Sequence, residues 1–213
     1  MALTFYYGSG SPYAWKVWLT LEHKGIPYEL KVLSFDKGDT KAPAFRAINP
    51  RGKVPTIVDD GFALWESTAV AEYLDERYSQ KPLMPADPKA RATMRRIATE
   101  AQDYLAKVVE HLVDIALYSE QAPTPEAVAE AKKGVMEELG RIEAQFAGPG
   151  VAGALSLADF TLFPWVRTLR RVNDRKPGLG ITTEQLPPTL AGWVKMIESQ
   201  PYYEKTTPPH WKG

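Results

Sequence analysis

The segment Asn49-Pro-Arg-Gly-Lys-Val-Pro-Thr-Ile-Val-Asp-Asp-Gly-Phe-Ala-Leu-Trp-Glu-Ser67 restricts the folds open to this chain more than any other stretch. Pro55 has no N–H and cannot donate to a ladder, so it belongs at the start of a strand. The β-rich run Thr56 to Val58 follows it. Asp59-Asp60-Gly61 then reads as a tight turn into a second run, Phe62 to Trp65, which makes the pair a hairpin. Glu66 and Ser67 open a helix. An extended Val54 can turn its N–H and C=O outward, where a peptide-like ligand adds itself in strand fashion. The helix behind Ser67 offers free N–H groups and a positive dipole end, which suit a carboxylate. Glu66 beside it suits an ammonium. A ligand carrying both groups on one carbon, the α end of an amino acid, fits this pair. Singly these features have plain readings: a serine at a helix start is usually a cap. Their combination at this spacing is what points to a binding site.

The residues before and after give the segment its setting. Leu3 to Tyr7 is a short β-type run. Ser11-Pro12 is a helix start, with serine as N-cap and proline at the first helical position. Apolar residues at Tyr13, Val17 and Leu21, and at Ala14 and Trp18, keep helical spacing up to Gly25. Tyr28 to Leu33 is a second strand, and a strand–helix–strand unit of this length should cross over right-handed. A polar loop, Ser34 to Ala42, leads to a short helix from Pro43 to Ile48, then to the hairpin and a helix from Ser67 to Tyr78. The order β-α-β-α-β-β-α is a thioredoxin-like arrangement.

Three prolines within Ser79 to Pro88 mark an inter-domain linker. Beyond it the spacing is helical. Ile97, Ala101, Leu105, Val108 and Leu112 mark a long helix to about Tyr118. Thr124-Pro125 starts another, with Val128, Ala131, Val135, Leu139 and Ile142 on one face. Ser156-Leu-Ala-Asp159 is a capping box with Asp where Glu is usual, read as a folding element. Pro187-Pro188 starts a last helix to about Ser199. The expected organisation is therefore a thioredoxin-like domain over residues 1–80, a linker over 81–88 and an all-helical domain over 89–213.

Composition removes several functions. Lys plus Arg and Asp plus Glu are 26 each, so no net charge favours nucleic acid or anionic membrane. No run approaches the ~18 apolar residues of a membrane span. The N-terminus lacks a basic leader and reads as a strand, which gives a cytoplasmic expectation. Cysteine is absent, which excludes disulfides, a protein thiolate and Cys-based zinc. His23, His111 and His210 have no metal-ligand spacing, and no metal is expected.

The run Asn-Pro-x-Gly-Lys-Val-Pro followed by Glu-Ser resembles the glutathione-binding half of the glutathione transferase family, and the resemblance extends over essentially the whole chain. It implies a cis Pro55, a Val54 backbone that pairs with the cysteinyl part of glutathione, and Glu66-Ser67 at the γ-glutamyl end. Lys41 and Lys53 match positions that hold the glycyl carboxylate; otherwise they are ordinary solvated lysines. Glutathione is then the cosubstrate, the chain a two-fold homodimer and its role detoxification.

Glutathione's thiol has a pKa of ~8.5 or somewhat above, and its thiolate is the nucleophile. A serine hydroxyl at a helix N-terminus can donate to that sulfur. A hydrogen bond to a charged acceptor is worth roughly 1.5–3 kcal/mol, enough to lower the thiol pKa by about one to two units. Ser11 is the candidate. In the serine-type and cysteine-type branches the catalytic residue precedes the first helical turn, as Ser11 does. Ser-x-x-x-Trp-basic-Val resembles the zeta branch and Ser-Pro-aromatic the tau branch. Ser9, Tyr6 and Tyr7 are rivals, Tyr7 foremost, because other branches use a tyrosine at the end of the first strand. Gly8-Ser-Gly-Ser11 lacks the remaining elements of a phosphate loop. A hydrophobic electrophile is expected between the domains against Tyr13 and Tyr104. A glutathione-dependent isomerase and a non-enzymatic glutathione-binding module are the alternatives. A disulfide reductase is disfavoured by the missing cysteine.

Overall fold

The structure is a computed structural model and describes residues 3–211. The chain forms two compact units. One runs to Leu83 and takes back the chain from Pro201 onward; the other is Met84–Gln200. The boundary falls inside the expected linker. The tail, expected with the helical domain over 89–213, packs with the first unit instead. The reason is local: the Lys205 ammonium pairs with Glu22 at 2.6 Å, and the Tyr202 hydroxyl meets His23 Nδ1 at 3.0 Å.

In the first unit the strands are β1 (Leu3–Gly8), β2 (Glu29–Leu33), β3 (Thr56–Asp59) and β4 (Phe62–Trp65). They lie in the order β2-β1-β3-β4, with β1 and β2 parallel and the other pairs antiparallel. Helix α1 (Pro12–Lys24) makes the parallel crossover, and α2 (Pro43–Ile48) and α3 (Ser67–Arg77) complete the layer. All of these elements were legible in the sequence, with ends moved by one residue or so. Phe5, Val17, Leu21, Ile57, Val70 and Leu74 fill the core between sheet and helices. Helix α1 begins as its sequence demands: the Ser11 side chain accepts from the Ala14 amide and Pro12 takes the first turn. It ends at Gly25 with φ 67°, a conformation glycine adopts without cost. Close to this end Lys24 Nζ, fully buried, meets Asp75 at 2.7 Å and the Gln80 carbonyl at 2.9 Å. The same carboxylate accepts from the Leu83 amide, so one ion pair ties α1, α3 and the exit of the unit together.

The second unit is helical. Helix α4 (Pro88–Glu100) continues through a π-type turn, Ala101–Leu105, into α5 (Ala106–Val113), and a second π-type turn, Asp114–Tyr118, ends the run. The single long helix read from the sequence therefore keeps its path and changes its winding twice. Then come α6 (Pro125–Glu143), α7 (Leu157–Arg175) and α8 (Pro188–Glu198). Both halves of the capping box at Ser156 form. Asp159 does more than close it. Its carboxylate, fully buried, accepts from the Val151 amide, the Ser156 amide and hydroxyl, and the Trp193 indole, each at 2.8 Å. Burial pushes its carboxyl above the usual range, and these four bonds oppose that only in part.

Replacing Asp159 by Ala leaves these donors buried without an acceptor, and the second unit should lose about 3–5 kcal/mol of stability. Urea unfolding followed by far-UV circular dichroism measures this. An unchanged midpoint would show that the hub is dispensable.

Candidate functional site

A cavity of about 240 Å³ lies in the first unit, lined by Tyr13, Asn49, Lys53, Val54, Pro55, Trp65, Glu66 and Ser67. One face is the loop before β3. Its shape rests on Asn49, whose side chain is fully buried. The carboxamide donates to the Lys53 carbonyl at 2.8 Å and to the Thr56 hydroxyl at 2.9 Å, and accepts from the Arg51 amide at 3.0 Å. The Thr56 hydroxyl in turn donates to the Lys53 carbonyl at 3.0 Å. These bonds consume the inward-facing polar groups and leave Val54 on the cavity side. The Val54-Pro55 bond is cis, as the resemblance implied. Gly52, with φ 60°, packs so closely that a Cβ there would stand 2.6 Å from the Thr40 carbonyl oxygen. This contact seats the short turn Asp39–Lys41 against the loop.

The opposite face is the start of α3. Glu66 has φ 69°, a left-handed value that is uncommon for a residue with a side chain. It stands at the N-cap position, and its side chain makes no capping bond. Ser67 is the first helical residue and is buried. The amides of the first turn thus point to the cavity without a side-chain cap, the arrangement that holds a carboxylate. The Glu66 carboxylate is largely exposed and lies 3.8 Å from Arg51 Nε. An exposed pair of this kind is worth little and can give way to a ligand ammonium.

Behind the same helix start lies a group that the sequence reading used only as part of a pattern. Lys16 is 2% exposed. Its Nζ donates to the Thr68 hydroxyl at 3.0 Å. Burial pushes the lysine down to about 7, with Glu72 pulling the other way. Its signal in the sequence is a single cation within the run Trp-Lys-Val-Trp-Leu-Thr-Leu. Asn49, Trp65 and Arg51 are further residues of the site that were not singled out.

The remaining candidates occupy different places. Ser11 is half-buried at the N-cap of α1 and is not among the lining residues of the cavity. Tyr7 sits in the core with no exposed surface. Its hydroxyl has no partner at hydrogen-bond geometry, although Ser9 and Gly10 lie near enough to favour its ionised form; burial outweighs them and pushes it up to about 12. Lys41 is exposed on the turn that rests on Gly52. Tyr104 belongs to the second unit, in the first π-type turn, and is exposed beside Glu100, Glu138, Arg141 and Gln145. Among the described residues no group of three or more His, Asp or Glu side chains is placed to hold a metal ion. No helix among them is long and apolar enough to cross a membrane.

The buried lysine sets a pH dependence. Its folded pKa of about 7 lies below the ordinary 10.5, so between these values the unfolded chain binds one proton more than the folded one. Stability should therefore rise with pH from about 7 towards 10, where buried tyrosines such as Tyr7 begin to oppose it. Lys16→Met should flatten that rise. Urea midpoints across this range test it, and a parallel slope in both proteins would remove the assignment.

Two family models match the chain: Glutathione S-transferase, N-terminal domain, over residues 10–77, and Glutathione S-transferase, C-terminal domain, over residues 125–195. Glutathione S-transferase A of Pleuronectes platessa is 31% identical over 98% of this chain and 92% of its own length. A maleylacetoacetate isomerase of Pseudomonas aeruginosa is 42% identical over 46% of this chain and 47% of its own. Among solved structures, a glutathione S-transferase from the Antarctic clam Laternula elliptica superposes with a TM-score of 0.87 at 32% identity, over 99% of this chain and 94% of that one. The cis proline loop facing an uncapped helix start, together with these matches along the full chain, shows that the protein belongs to the glutathione S-transferase family and is a glutathione transferase.

Proposed function

We propose that this glutathione transferase activates the glutathione thiol through the hydroxyl of Ser11 and directs the thiolate at a hydrophobic small-molecule electrophile. The observation that carries the binding half is the cavity itself, which Val54 and the cis Pro55 line on one face and Glu66 and Ser67 on the other. In this reading Val54 pairs with the cysteinyl backbone. The uncapped amides at Ser67 take the γ-glutamyl carboxylate, and Glu66 takes its ammonium. Lys53 lines the cavity and takes the glycyl carboxylate, with Lys41 as the second cation. Tyr13, also in the lining, supplies ring surface to the electrophile.

Ser11 suits the activating role on chemical grounds. Its oxygen accepts from the Ala14 amide at 3.3 Å, which leaves its own proton to donate to sulfur. The helix dipole behind it favours negative charge at that point. Tyr7 is a poor alternative, because a phenol with no exposed surface has no path to a ligand sulfur.

The isomerase reading is kept as a second possibility within the same site. The match to a maleylacetoacetate isomerase favours it, together with the zeta-like Ser-x-x-x-Trp-Lys-Val run from Ser11 to Val17. In that case the thiolate adds to a conjugated double bond and leaves after rotation. We further propose a two-fold homodimer, the default for soluble oligomers, acting in the cytoplasm in detoxification.

Ser11→Ala should raise the pKa of the bound thiol by about one to two units while leaving glutathione affinity nearly unchanged. Glu66→Ala should do the reverse, weakening binding about tenfold with little effect on the thiol. Thiolate absorbance against pH and calorimetric titration with glutathione separate the two effects. A raised thiol pKa in Tyr7→Phe and none in Ser11→Ala would sink the catalytic assignment. The dimer is tested apart from this by light scattering, where a single-chain mass would refute it.

A further inference from the structure

Ser11 closes a tight turn. The Ser11 amide donates to the Gly8 carbonyl at 3.1 Å, and Gly10 within the turn has φ 87°. This places glycine where a type II turn requires a positive φ. The turn does not stand alone. The chain's far end returns to it: the short helix α9 (Tyr203–Thr206) packs on α1, and Pro209–Trp211 follows. His210 Nδ1 lies 2.7 Å from the Ser9 hydroxyl oxygen. The imidazole rests directly on Gly10, where a Cβ would meet His210 Cε1 at 2.9 Å. Trp211 lays its ring edge-on against the buried Trp15 of α1, with centroids 5.3 Å apart.

The hydrogen bonds have a direction. An indole N–H can only donate. Trp211 Nε1 lies 2.9 Å from His210 Nε2, so Nε2 is the acceptor and the ring proton sits on Nδ1. His210 Nδ1–H then donates to Ser9, and the serine oxygen is held from outside. A doubly protonated ring would set donor against donor at Trp211. The pair thus selects the neutral imidazole in one tautomer.

We propose that His210, oriented by Trp211, is a positioning residue of the transferase: it clamps the Gly8–Ser11 turn from the chain's C-terminal end and so fixes the direction in which Ser11 offers its proton to the thiol. This rests on Ser11 as the activating residue. The clamp touches neither face of the glutathione cavity described above, so it acts on the thiol's acidity and on turnover and leaves binding alone.

The test uses the full chain as wild type, Ser11→Ala, His210→Ala, His210→Asn and Trp211→Phe. It reads the bound glutathione thiol by thiolate absorbance against pH, and kcat and KM for glutathione with a chloronitroaromatic electrophile. His210→Ala should raise the thiol pKa and lower kcat by about threefold to tenfold, the effect of one ordinary hydrogen bond. KM for glutathione should stay within about twofold. His210→Asn keeps an N–H donor near the Nδ1 position and should recover most of the loss. Trp211→Phe keeps the ring on Trp15 but frees the tautomer, and should fall between. A wild-type thiol pKa in His210→Ala beside a raised one in Ser11→Ala overturns the clamp and leaves Ser11 in place. An unmoved thiol in Ser11→Ala overturns both. A loss of kcat that comes with a lowered thermal midpoint and no rescue by Asn means packing alone, and also overturns the proposal.

Discussion

The candidate glutathione cavity depends on one buried carboxamide. Asn49 has three neighbours to satisfy, at Lys53, Thr56 and Arg51, and it satisfies them from a position with no solvent. A buried amide that lost one of these partners would be left with a costly unmet group. The loop therefore has one favourable path, in which these groups are satisfied and Val54 lines the cavity. Gly52 adds a steric term, since only a residue without Cβ can lie against the Thr40 carbonyl.

The second wall shows electrostatics of a different kind. The amides at the start of α3 present positive potential at that end of the helix, and Lys16 is buried against Thr68 in the same first turn. One is a fixed dipole. The other is a titrating charge that burial makes easy to discharge. Holding a cation there costs stability at neutral pH, and the Thr68 hydroxyl and the field of Glu72 offset that cost only in part. The start of α3 is thus positive, while the exposed Glu66 beside it supplies the opposite sign.

Helix α1 links the parts. Its first residues carry the candidate nucleophile activator, its middle buries Lys16, and its end holds the Lys24–Asp75 pair that ties in α3. Residues Ala14 to Leu21 are buried without a gap, so the helix has no solvated face over that length. This follows from its coverage on more than one side. The sheet and α3 lie against it, and α9 comes back to it from the far end of the chain.

Local chemistry sufficed to read the thioredoxin-like order of strands and helices, the hairpin at Asp59-Asp60-Gly61, the starts at Ser11-Pro12 and Thr124-Pro125, and the capping box at Ser156. Each depends on residues within a few positions of one another, and proline, glycine and hydroxyl side chains act at that range. The pairing of the Val54-Pro55 loop with Glu66-Ser67 was legible for the same reason, since only a short hairpin separates them. Other features are set by contacts between residues far apart in the chain. The burial of Lys16 depends on α3, some fifty positions on, and the core position of Tyr7 on the helices that cover β1. The return of the tail to the first unit depends on Glu22, His23 and Ser9 meeting Lys205, Tyr202 and His210. Sequence pattern reports which face of an element is apolar. It does not report how many neighbours cover that element, and that number decided which polar groups here are buried.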